Sequence, residues 1–340
     1  MERIPRKEND KMKAIFLCNK KNNVESVYAE SFDKLPDVER TVYKADDVIA
    51  DPEKFADVEY VFSTWGMPSM TEEQIKVCLP SLKCVFYAAG SVQAFARPFL
   101  ACGVKVFSAW AANAVPVVEY TLAQIILANK GFFAHSREMK KGNREAGKVM
   151  RAAYPGNYGE NVGIIGVGMI GSQVAERLKG YKLNVLAFDP FLSDEKAEKL
   201  GIRKASLDEI FSTCRVISNH MANNEQTKGM LDYKYFSQMM PYSTFINTGR
   251  GAQIVEDDLV RVLSDRSDVT AILDVTYPEP PAEGHAFYSL PNCFLTPHIA
   301  GSLVNETHRM AEYIIEEYER FVSGETCLYE VSEKMLETMA

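Results

Sequence analysis

The chain has 340 residues, of which 46% are hydrophobic and 25% are charged, an ordinary composition for a globular protein of roughly two domains. This composition excludes collagen, a coiled coil and a largely disordered chain, and the uninterrupted apolar runs are shorter than the ~20 residues of a membrane helix. The net charge of −8, from 46 acidic and 38 basic residues, argues against nucleic acid as a partner, because such proteins carry a basic excess.

The first part of the chain alternates short apolar runs with helix-like segments, which is typical of a parallel α/β fold. Residues 1–13 are rich in charge and lack the apolar core of a signal peptide, so we expect a disordered lead-in there. A helix is predicted over residues 71–79, with Thr71 as its N-cap and Pro80 as its stop. Strands are predicted at residues 14–18, 60–64, 84–88 and 104–108.

The middle and the end of the chain continue the alternation. One long helix is predicted over residues 116–141, because apolar side chains recur there at helical spacing. Residues 142–157 are polar and contain glycine, so we expect a loop. Further helices are predicted at residues 170–181, 256–264 and 304–322, and strands at residues 162–165, 185–188, 216–218, 244–247, 270–274 and 293–295.

A glycine turn follows the predicted strand at residues 162–165. Gly166, Gly168 and Gly171 have the spacing GxGxxG, and a helix with Ile170 on its apolar face comes next. In nucleotide-binding folds the first glycine permits a tight turn, the second lets the backbone approach a pyrophosphate, and the third lets helix pack on strand. The helix N-terminus, at Met169, supplies unpaired N–H groups to the phosphates. The pattern predicts a dinucleotide site.

An acid stands at the end of the next predicted strand, where such folds bind the adenosine ribose. Asp189 occupies this position and is followed by Pro190, without an arginine among residues 190–192. A carboxylate accepts hydrogen bonds from the ribose hydroxyls and repels a 2′-phosphate. We therefore predict NAD rather than NADP as the cofactor.

Three polar residues each come just after a predicted strand. They are Arg250, Glu279 and His298. The carboxyl ends of parallel strands form the ligand crevice of an open sheet, so all three side chains are candidates for one site. Histidine can exchange a proton near neutrality, a carboxylate can hold its imidazolium, and arginine can bind a substrate carboxylate and polarise a carbonyl. Together they suit the reduction of a 2-oxo acid, although a solvated arginine and a loop histidine fit the residue pattern equally well.

Seven cysteines stand at positions 18, 78, 84, 102, 214, 293 and 327. No CxxC pair occurs, so the sequence predicts no zinc site. An odd number of scattered cysteines indicates buried thiols in a reducing compartment, and we expect a cytoplasmic protein.

Several segments closely resemble the signature blocks of the D-isomer-specific 2-hydroxyacid dehydrogenases, which include formate and glycerate dehydrogenase-like proteins. The blocks are residues 247–251 (NTGRG), 273–275 (LDV) with Glu279-Pro280, and 295–301 (LTPHIAG), in the same order after GxGxxG and Asp189. Residues 113–119 (NAVPVVE) look like the linker-helix motif of the family, and residues 88–91 (AAGS) like its substrate-carboxylate loop. The likeness covers about residues 14–320.

The resemblance implies catalytic and substrate-binding roles residue by residue. Arg250 would bind the substrate carboxylate and carbonyl, and His298, paired with Glu279, would be the general acid and base. Backbone N–H groups of the loop Ala89, Gly90 and Ser91 would bind the substrate carboxylate.

The resemblance also implies cofactor contacts beyond the glycine turn. Asp274 would contact the nicotinamide carboxamide, Thr248 and Gly249 would line the nicotinamide site, and His220 would lie on the adenosine side. The family often has proline where Ala222 stands here, and Asn219 and Asn223 make this stretch more polar than usual. The chain therefore departs from the family pattern on the adenosine side of the cofactor.

Substrate choice is less determined by the sequence. The loop at residues 64–68 corresponds to a segment that overhangs the substrate in the family, and Trp65 and Met67 offer an indole and a thioether without a cation. We therefore expect a substrate with an apolar or compact tail, although Trp65 can equally be a core residue. Two other functions stay open: a dehydrogenase of a phosphorylated or sugar-derived hydroxy acid, and a non-catalytic NAD-sensing or corepressor-like protein.

The expected architecture is α/β, with two doubly wound parallel-sheet domains. A Rossmann nucleotide-binding domain at residues 114–302 is inserted into a flavodoxin-like substrate domain at residues 1–113 and 303–340. The resemblance implies a homodimer formed through the nucleotide domains, and we expect neither nucleic acid nor a membrane as a partner.

Overall fold

A computed structural model describes residues 13–35 and 37–337 of the chain. It divides into two compact units: Met1–Asn113 with Ser302–Ala340, and Ala114–Gly301. The disordered lead-in that we expect at residues 1–13 lies outside the described residues, apart from Lys13.

The strands, numbered along the chain, form two separate sheets. Their bounds are β1 Ala14–Leu17, β2 Val38–Tyr43, β3 Tyr60–Ser63, β4 Cys84–Tyr87, β5 Lys105–Ser108, β6 Tyr158–Ile165, β7 Lys182–Phe188, β8 Arg203–Lys204, β9 Val216–Asn219, β10 Thr244–Asn247, β11 Thr270–Leu273, β12 Cys293–Leu295 and β13 Glu330–Val331.

The helices mostly connect consecutive strands. Their bounds are α1 Lys21–Val27, α2 Ala45–Ala50, α3 Pro52–Phe55, α4 Glu72–Cys78, α5 Ala96–Ala101, α6 Trp110–Asn129, α7 Phe132–Lys140, α8 Arg144–Arg151, α9 Met169–Leu178, α10 Asp194–Leu200, α11 Leu207–Thr213, α12 Tyr233–Phe236, α13 Glu256–Asp265 and α14 Glu306–Ser323.

The first unit contains the sheet β13-β5-β4-β3-β1-β2, in which every pairing is parallel except that of β13 with β5. The inner strands β1, β3 and β4 are almost entirely buried, which is typical of parallel sheets with helices on both faces. Phe62, Phe86 and Phe107 from three neighbouring strands stack on one face, with ring centroids 5.3 Å and 5.0 Å apart. The chain proceeds from β1 to β2 and then returns to the other side of β1, so a topological switch point lies between β1 and β3.

The second unit contains the fully parallel sheet β12-β11-β10-β9-β6-β7-β8. Its switch point lies between β6 and β9. The glycine turn follows the carboxyl end of β6, and His220 follows the carboxyl end of β9. The predicted fold class of two doubly wound parallel-sheet domains is therefore confirmed.

Three strands were missing from the sequence prediction, each for a physical reason. β2 lies at the edge of its sheet and places Glu39, Arg40 and Thr41 at or near the surface, so it has no continuous apolar run. β8 and β13 have two residues each, too few for any pattern.

The long helix predicted at residues 116–141 is in fact two helices, α6 and α7. Gly131 separates them with φ +67°, and a Cβ there would lie 2.5 Å from the Tyr154 ring. The loop predicted at residues 142–157 is also wrong in part, because it contains α8. Glu145 and Lys148 form an i,i+3 ion pair of 2.7 Å on this helix, which a reading of apolar spacing does not detect.

Helix α6 is, among the residues described, the one helix long and apolar enough to cross a membrane by length and composition. The continuous apolar runs within α6 are short, as expected from the sequence, because Glu119, Thr121 and Gln124 interrupt them. The core helix of a soluble protein meets the same criterion, so α6 is weak evidence for a membrane span. Val118 and Ile125 of α6 are fully buried and pack against core residues of the second unit.

Candidate active site

The glycine turn has the geometry that a dinucleotide requires. Gly166 has φ +87°, and a Cβ on it would lie 2.8 Å from the His220 carbonyl group. A Cβ on Gly171 would lie 2.0 Å from the Gly166 carbonyl oxygen, so helix and strand approach closely only because both residues are glycine. A Cβ on Gly168 would touch no protein atom within 4 Å, which leaves this side of the turn open.

Helix α9 begins directly behind this open glycine. Gly168 is its N-cap without a side-chain capping bond, so the N–H groups of Met169 and Ile170 have no helical acceptor. These groups and the positive end of the helix dipole can hold a phosphate at the open side of the turn.

Asp189 lies at the end of β7, beside the turn. Its Oδ2 atom accepts a hydrogen bond from the Val167 amide at 2.7 Å, and its Oδ1 atom accepts one from the Phe191 amide at 2.8 Å. Each oxygen keeps a further lone pair for a ribose hydroxyl. Pro190 is exposed, and Phe191, 82% exposed, follows it.

Lys196 is a residue near the turn that sequence reasoning missed. Its Nζ atom donates to the Val167 carbonyl oxygen at 2.6 Å, so a positive charge from α10 lies against the middle of GxGxxG. A local motif does not reveal this contact, because Lys196 and Val167 are 29 residues apart and meet only in the folded chain.

His220 is a buried residue under the glycine turn. Its Nε2 atom lies 2.9 Å from Ser218 Oγ, and its Nδ1 atom lies 3.2 Å from Thr248 Oγ1. Burial lowers the pKa of His220 to about 3, so the ring is neutral. The His220 side chain thus connects the end of β9 with Thr248 after β10, next to the glycine turn.

A buried amide network holds the turn that carries Arg250. Asn219 Nδ2 donates to Asn247 Oδ1 at 3.0 Å and to Gln253 Oε1 at 2.6 Å, and all three residues are fully buried. Asn247 Oδ1 accepts from the Gly249 amide, and Gln253 Oε1 accepts from the Arg250 amide. The polar character of Asn219, which the sequence left as a departure from the family, therefore serves the arginine turn.

Arg250 itself has a guanidinium group without an ion-pair partner among the described residues. Nη1 donates to the Gly249 carbonyl oxygen at 2.8 Å, which leaves the rest of the fork free. Burial lowers the pKa of Arg250, and the nearby Glu279 carboxylate opposes this shift. A Cβ on Gly251 would lie 2.0 Å from the Thr276 carbonyl carbon, so the arginine turn packs directly on the loop that leads to Glu279.

Glu279 and His298 form a hydrogen-bonded pair, with Oε1 2.7 Å from Nδ1. Their side chains are 40% and 45% exposed, so the pair is open to a ligand. His298 has φ +54°, in the left-handed region, and its amide donates to the Asp274 carbonyl oxygen at 3.0 Å. The unit thus brings together the Arg250 turn, Glu279 and His298.

The carboxylate of Asp274 is buried and is used within the protein. Oδ1 accepts from the Thr296 hydroxyl and the Ile299 amide, and Oδ2 accepts from the Ala300 amide. The role implied for Asp274 was a contact to the nicotinamide carboxamide. Most of its hydrogen-bonding capacity goes instead to the loop around His298, which leaves one lone pair on Oδ2 for such a contact.

The loop at residues 88–91 lies in the first unit, after β4. The hydroxyl of Ser108 donates to the carbonyl oxygens of Ala89 at 2.9 Å and Gly90 at 2.6 Å. The Ala89 amide donates to the Tyr87 carbonyl oxygen, so it is not free for a carboxylate, contrary to the role implied for it. The amides of Gly90 and Ser91 have no acceptor within the described part of the chain.

Trp65 also lies in the first unit, after β3, and is 38% exposed. Its carbonyl oxygen accepts a hydrogen bond of 2.6 Å from Asn23 Nδ2. The indole is therefore not a core residue, which was the alternative left open by the sequence.

No group of three or more possible metal ligands occurs within residues 13–35 and 37–337. All seven cysteines are free, and burial raises the pKa of Cys84, Cys214 and Cys293 to about 12, so these thiols are neutral.

Comparison with known proteins identifies the second unit. Residues 122–300, more than half of the chain, match the family described as "D-isomer specific 2-hydroxyacid dehydrogenase, NAD binding domain". The chain belongs to this family. NAD is therefore its cofactor. Three features of this 2-hydroxyacid dehydrogenase family member fit NAD: the open face of Gly168, the free amides of α9 and the Asp189 carboxylate.

Relatives in the family have different substrates. The chain is 30% identical over 222 residues to the D-3-phosphoglycerate dehydrogenase of Archaeoglobus fulgidus, covering 65% of this chain and 42% of that one. It is 26% identical over 272 residues to the mitochondrial formate dehydrogenase of Solanum tuberosum, covering 79% and 71%. The chain spans about half the length of the first curated relatives it matches, with 42% to 58% covered.

Solved structures share the fold of this family member. The D-mandelate dehydrogenase of Rhodotorula graminis matches with a TM-score of 0.76 at 19% identity, covering 94% of this chain and 98% of that one. The NAD-complexed D-isomer-specific 2-hydroxyacid dehydrogenase of Lactobacillus delbrueckii matches with a TM-score of 0.75 at 20% identity, covering 94% and 100%. At these identities the likeness shows the fold alone.

Proposed function

We propose that the protein is an NAD-dependent oxidoreductase that interconverts a 2-oxo acid and a D-2-hydroxy acid. One observation carries this proposal: the 2.7 Å pair of Glu279 and His298 lies in an NAD-binding domain next to the turn of an arginine without a described ion-pair partner. A proton donor and a carboxylate-binding cation are the groups that reduction of a 2-oxo acid requires.

His298 is the proposed proton donor. Glu279 accepts the Nδ1–H of the imidazole, which fixes the tautomer and stabilises the imidazolium. NADH held at the glycine turn and Asp189 would supply the hydride. As the carbon–oxygen double bond opens, the Nε2–H of His298 passes its proton to the oxygen, and the imidazole is left neutral. In the reverse direction the neutral ring takes the hydroxyl proton.

Arg250 is proposed to bind the substrate carboxylate and the reacting carbonyl oxygen. A fork of free N–H groups suits a carboxylate, and its positive charge polarises the carbonyl bond. Within the first unit, we propose the free amides of Gly90 and Ser91 as carboxylate-binding groups and the indole of Trp65 as a contact for the substrate tail.

We also propose a homodimer and a cytoplasmic location. Leu127, Phe132 and Met139 are 37%, 51% and 51% exposed on α6 and α7, and such apolar side chains suit a surface shared by two copies. The seven free cysteines suit a reducing compartment. A Phe132→Glu variant should shift the protein to monomers in sedimentation equilibrium, and an unchanged mass would contradict this face.

The activity is tested by NADH oxidation with a panel of 2-oxo acids, followed at 340 nm, on the wild type and two matched variants. His298→Asn should lose most turnover while binding NADH with unchanged affinity. His285→Asn is the control, because His285 also lies near a carboxylate, with Nε2 3.7 Å from Glu256 Oε2, yet takes no part in the proposed reaction. Undiminished turnover in His298→Asn would refute the role of His298, and NADH binding without turnover of any acid would favour an NAD-sensing protein.

A further inference from the structure

The carboxyl edge of the first sheet carries a cation at its switch point. Lys20 follows β1, the strand at which the order of the sheet reverses, and the Trp65 loop follows the neighbouring strand β3. Open α/β sheets bind ligands at such a point. The sequence favours an apolar or compact substrate tail because the Trp65 loop contains no cation, but the fold brings a lysine to this loop from β1.

Lys20 is fixed to the Trp65 loop by its backbone and by its side-chain stem. The Cys18 thiol lies 3.4 Å from the Lys20 amide nitrogen and 3.5 Å from the Trp65 carbonyl oxygen, so it joins the two segments. The Asn19 amide donates to the Gly66 carbonyl oxygen at 2.9 Å. A Cβ on Gly66 would lie 3.0 Å from both Cβ and Cγ of Lys20, which shows that the lysine stem covers this glycine.

The ammonium group of Lys20 has no carboxylate partner among residues 13–35 and 37–337. Its neighbour Lys21, in contrast, pairs with Glu25 at 3.5 Å. The end of the neighbouring strand β2 adds no net positive charge, because Lys44 is followed by Asp46 and Asp47, and the Asp47 carboxylate accepts the Lys44 amide at 2.8 Å. The positive charge of Lys20 therefore stands at this edge of the sheet without a carboxylate partner in the described part of the chain.

The distance across the sheet suits a substrate with charges at both ends. Strand β3 lies between β1 and β4, and β4 leads to the free amides of Gly90 and Ser91. Two strand spacings are about 10 Å, and the stem of Lys20 covers Gly66 in the loop after β3, so its side chain already spans part of this gap. A short acid held by its carboxylate at Gly90 and Ser91 can therefore extend past Trp65 to Lys20.

We propose that Lys20 binds an anionic group at the far end of the substrate, so that the substrate is a 2-oxo or 2-hydroxy acid with a second carboxylate or a phosphoryl group. This inference rests on the proposed function and names the substrate class for that activity. A lysine recognises either group as a point charge, so the shared chemistry is the second anion.

The test compares probes that differ only in the distal group. The pairs are 2-oxoglutarate with 2-oxopentanoate, and 3-phosphohydroxypyruvate with 3-hydroxypyruvate. The wild type should have the higher kcat/KM for the member with the second anion. Lys20→Met should lower this preference about tenfold, through KM and with kcat and NADH affinity unchanged. The pair with the larger dependence on Lys20 distinguishes a carboxylate from a phosphoryl group.

Lys21→Met is the matched control and should keep the wild-type preference. Equal preference for both members of each pair in the wild type, or equal changes for both in Lys20→Met, would overturn the assignment. Thermal shifts by the same probes in the presence of NADH provide a readout that does not need turnover. If no 2-oxo acid is reduced, the proposed function fails, while selective stabilisation by dianions that is lost in Lys20→Met would still support this site.

Discussion

The hydroxyl of Thr296 donates a 2.6 Å hydrogen bond to Oδ1 of Asp274. The same carboxylate accepts the Ile299 and Ala300 amides, and the backbone of Asp274 accepts the His298 amide. His298 adopts φ +54° within this set of contacts. A buried acid therefore determines the position of the residue that we propose as the proton donor.

Asp274→Asn should weaken both stability and turnover. The new amide NH2 group faces donors at Thr296, Ile299 or Ala300, so at least one buried group loses its partner at a cost of about 1–3 kcal/mol. We expect a lower urea midpoint and a reduced kcat. Thr296→Val removes one of the hydrogen bonds to the carboxylate, together with the 3.1 Å contact between Thr296 Oγ1 and the Tyr120 hydroxyl, and leaves the charge in place, so it should have a smaller effect on both. Equal effects of the two variants would contradict the central role of the carboxylate.

The amide pair Asn219 and Gln253 should act on the arginine turn as a unit. Asn219→Leu leaves Gln253 without its 2.6 Å donor, and we expect an increased KM for the 2-oxo acid with little change in NADH affinity. Gln253→Leu should have a larger effect, because Gln253 Nε2 also donates to the carbonyl oxygens of Met221 and Ala222. The double variant should lose less than the sum of the single variants, because either single variant already breaks the bond between the two amides. Strict additivity in a double-mutant cycle would show that the two amides do not couple.

Two glycines of the turn should respond to alanine in opposite ways. Gly168→Ala adds a methyl group in open space, so the melting temperature should stay within a degree or two while NADH affinity falls by about tenfold or more. Gly171→Ala places the methyl group 2.0 Å from the Gly166 carbonyl oxygen and should destabilise the fold instead. Titration of NADH fluorescence and thermal unfolding measure the two effects. An unchanged NADH affinity in Gly168→Ala would place the phosphates elsewhere.

The buried ring of His220 should make stability fall in acid. Its pKa is lowered from 6.5 to about 3 on folding, so the unfolded chain binds one more proton between these values. The stabilisation is complete above pH 6.5 and is lost as the pH falls toward 3. For this one group, the free energy of unfolding should drop by about 2 kcal/mol between pH 7.5 and 5. His220→Gln should show a drop smaller by that amount in urea titrations at the two pH values, and identical slopes would refute the effect.

Asp189 and Lys196 should affect the cofactor differently. Asp189→Ala removes the group that accepts ribose hydroxyls and repels a 2′-phosphate, so the preference for NADH over NADPH should decrease. Lys196→Met removes a charge beside the Val167 carbonyl and should weaken both cofactors alike, because both carry the pyrophosphate. Dissociation constants from fluorescence titration separate the two patterns. Unchanged discrimination in Asp189→Ala would exclude its ribose role.

Much of the fold was predictable because buried parallel strands are continuous apolar runs, and β10 and β12 have the predicted bounds. The edge strand β2 was missed because its middle is polar. The glycine turn, Arg250, Glu279 and His298 lie in local motifs, so they could be identified as candidates from the sequence. Lys20 and the Asn219–Gln253 pair could not, since each depends on two segments that come together only in the folded chain.

The contacts of Ser108 have a consequence for how fast and how selectively an anion can be captured. Its hydroxyl already holds the Ala89 and Gly90 carbonyls, so the loop need not be ordered when a ligand arrives. The conformational entropy of this loop is lost during folding rather than during binding. If the loop binds the substrate carboxylate as we propose, the first unit is a preorganised receptor. Ser108→Ala would convert it into one whose association requires an ordering step.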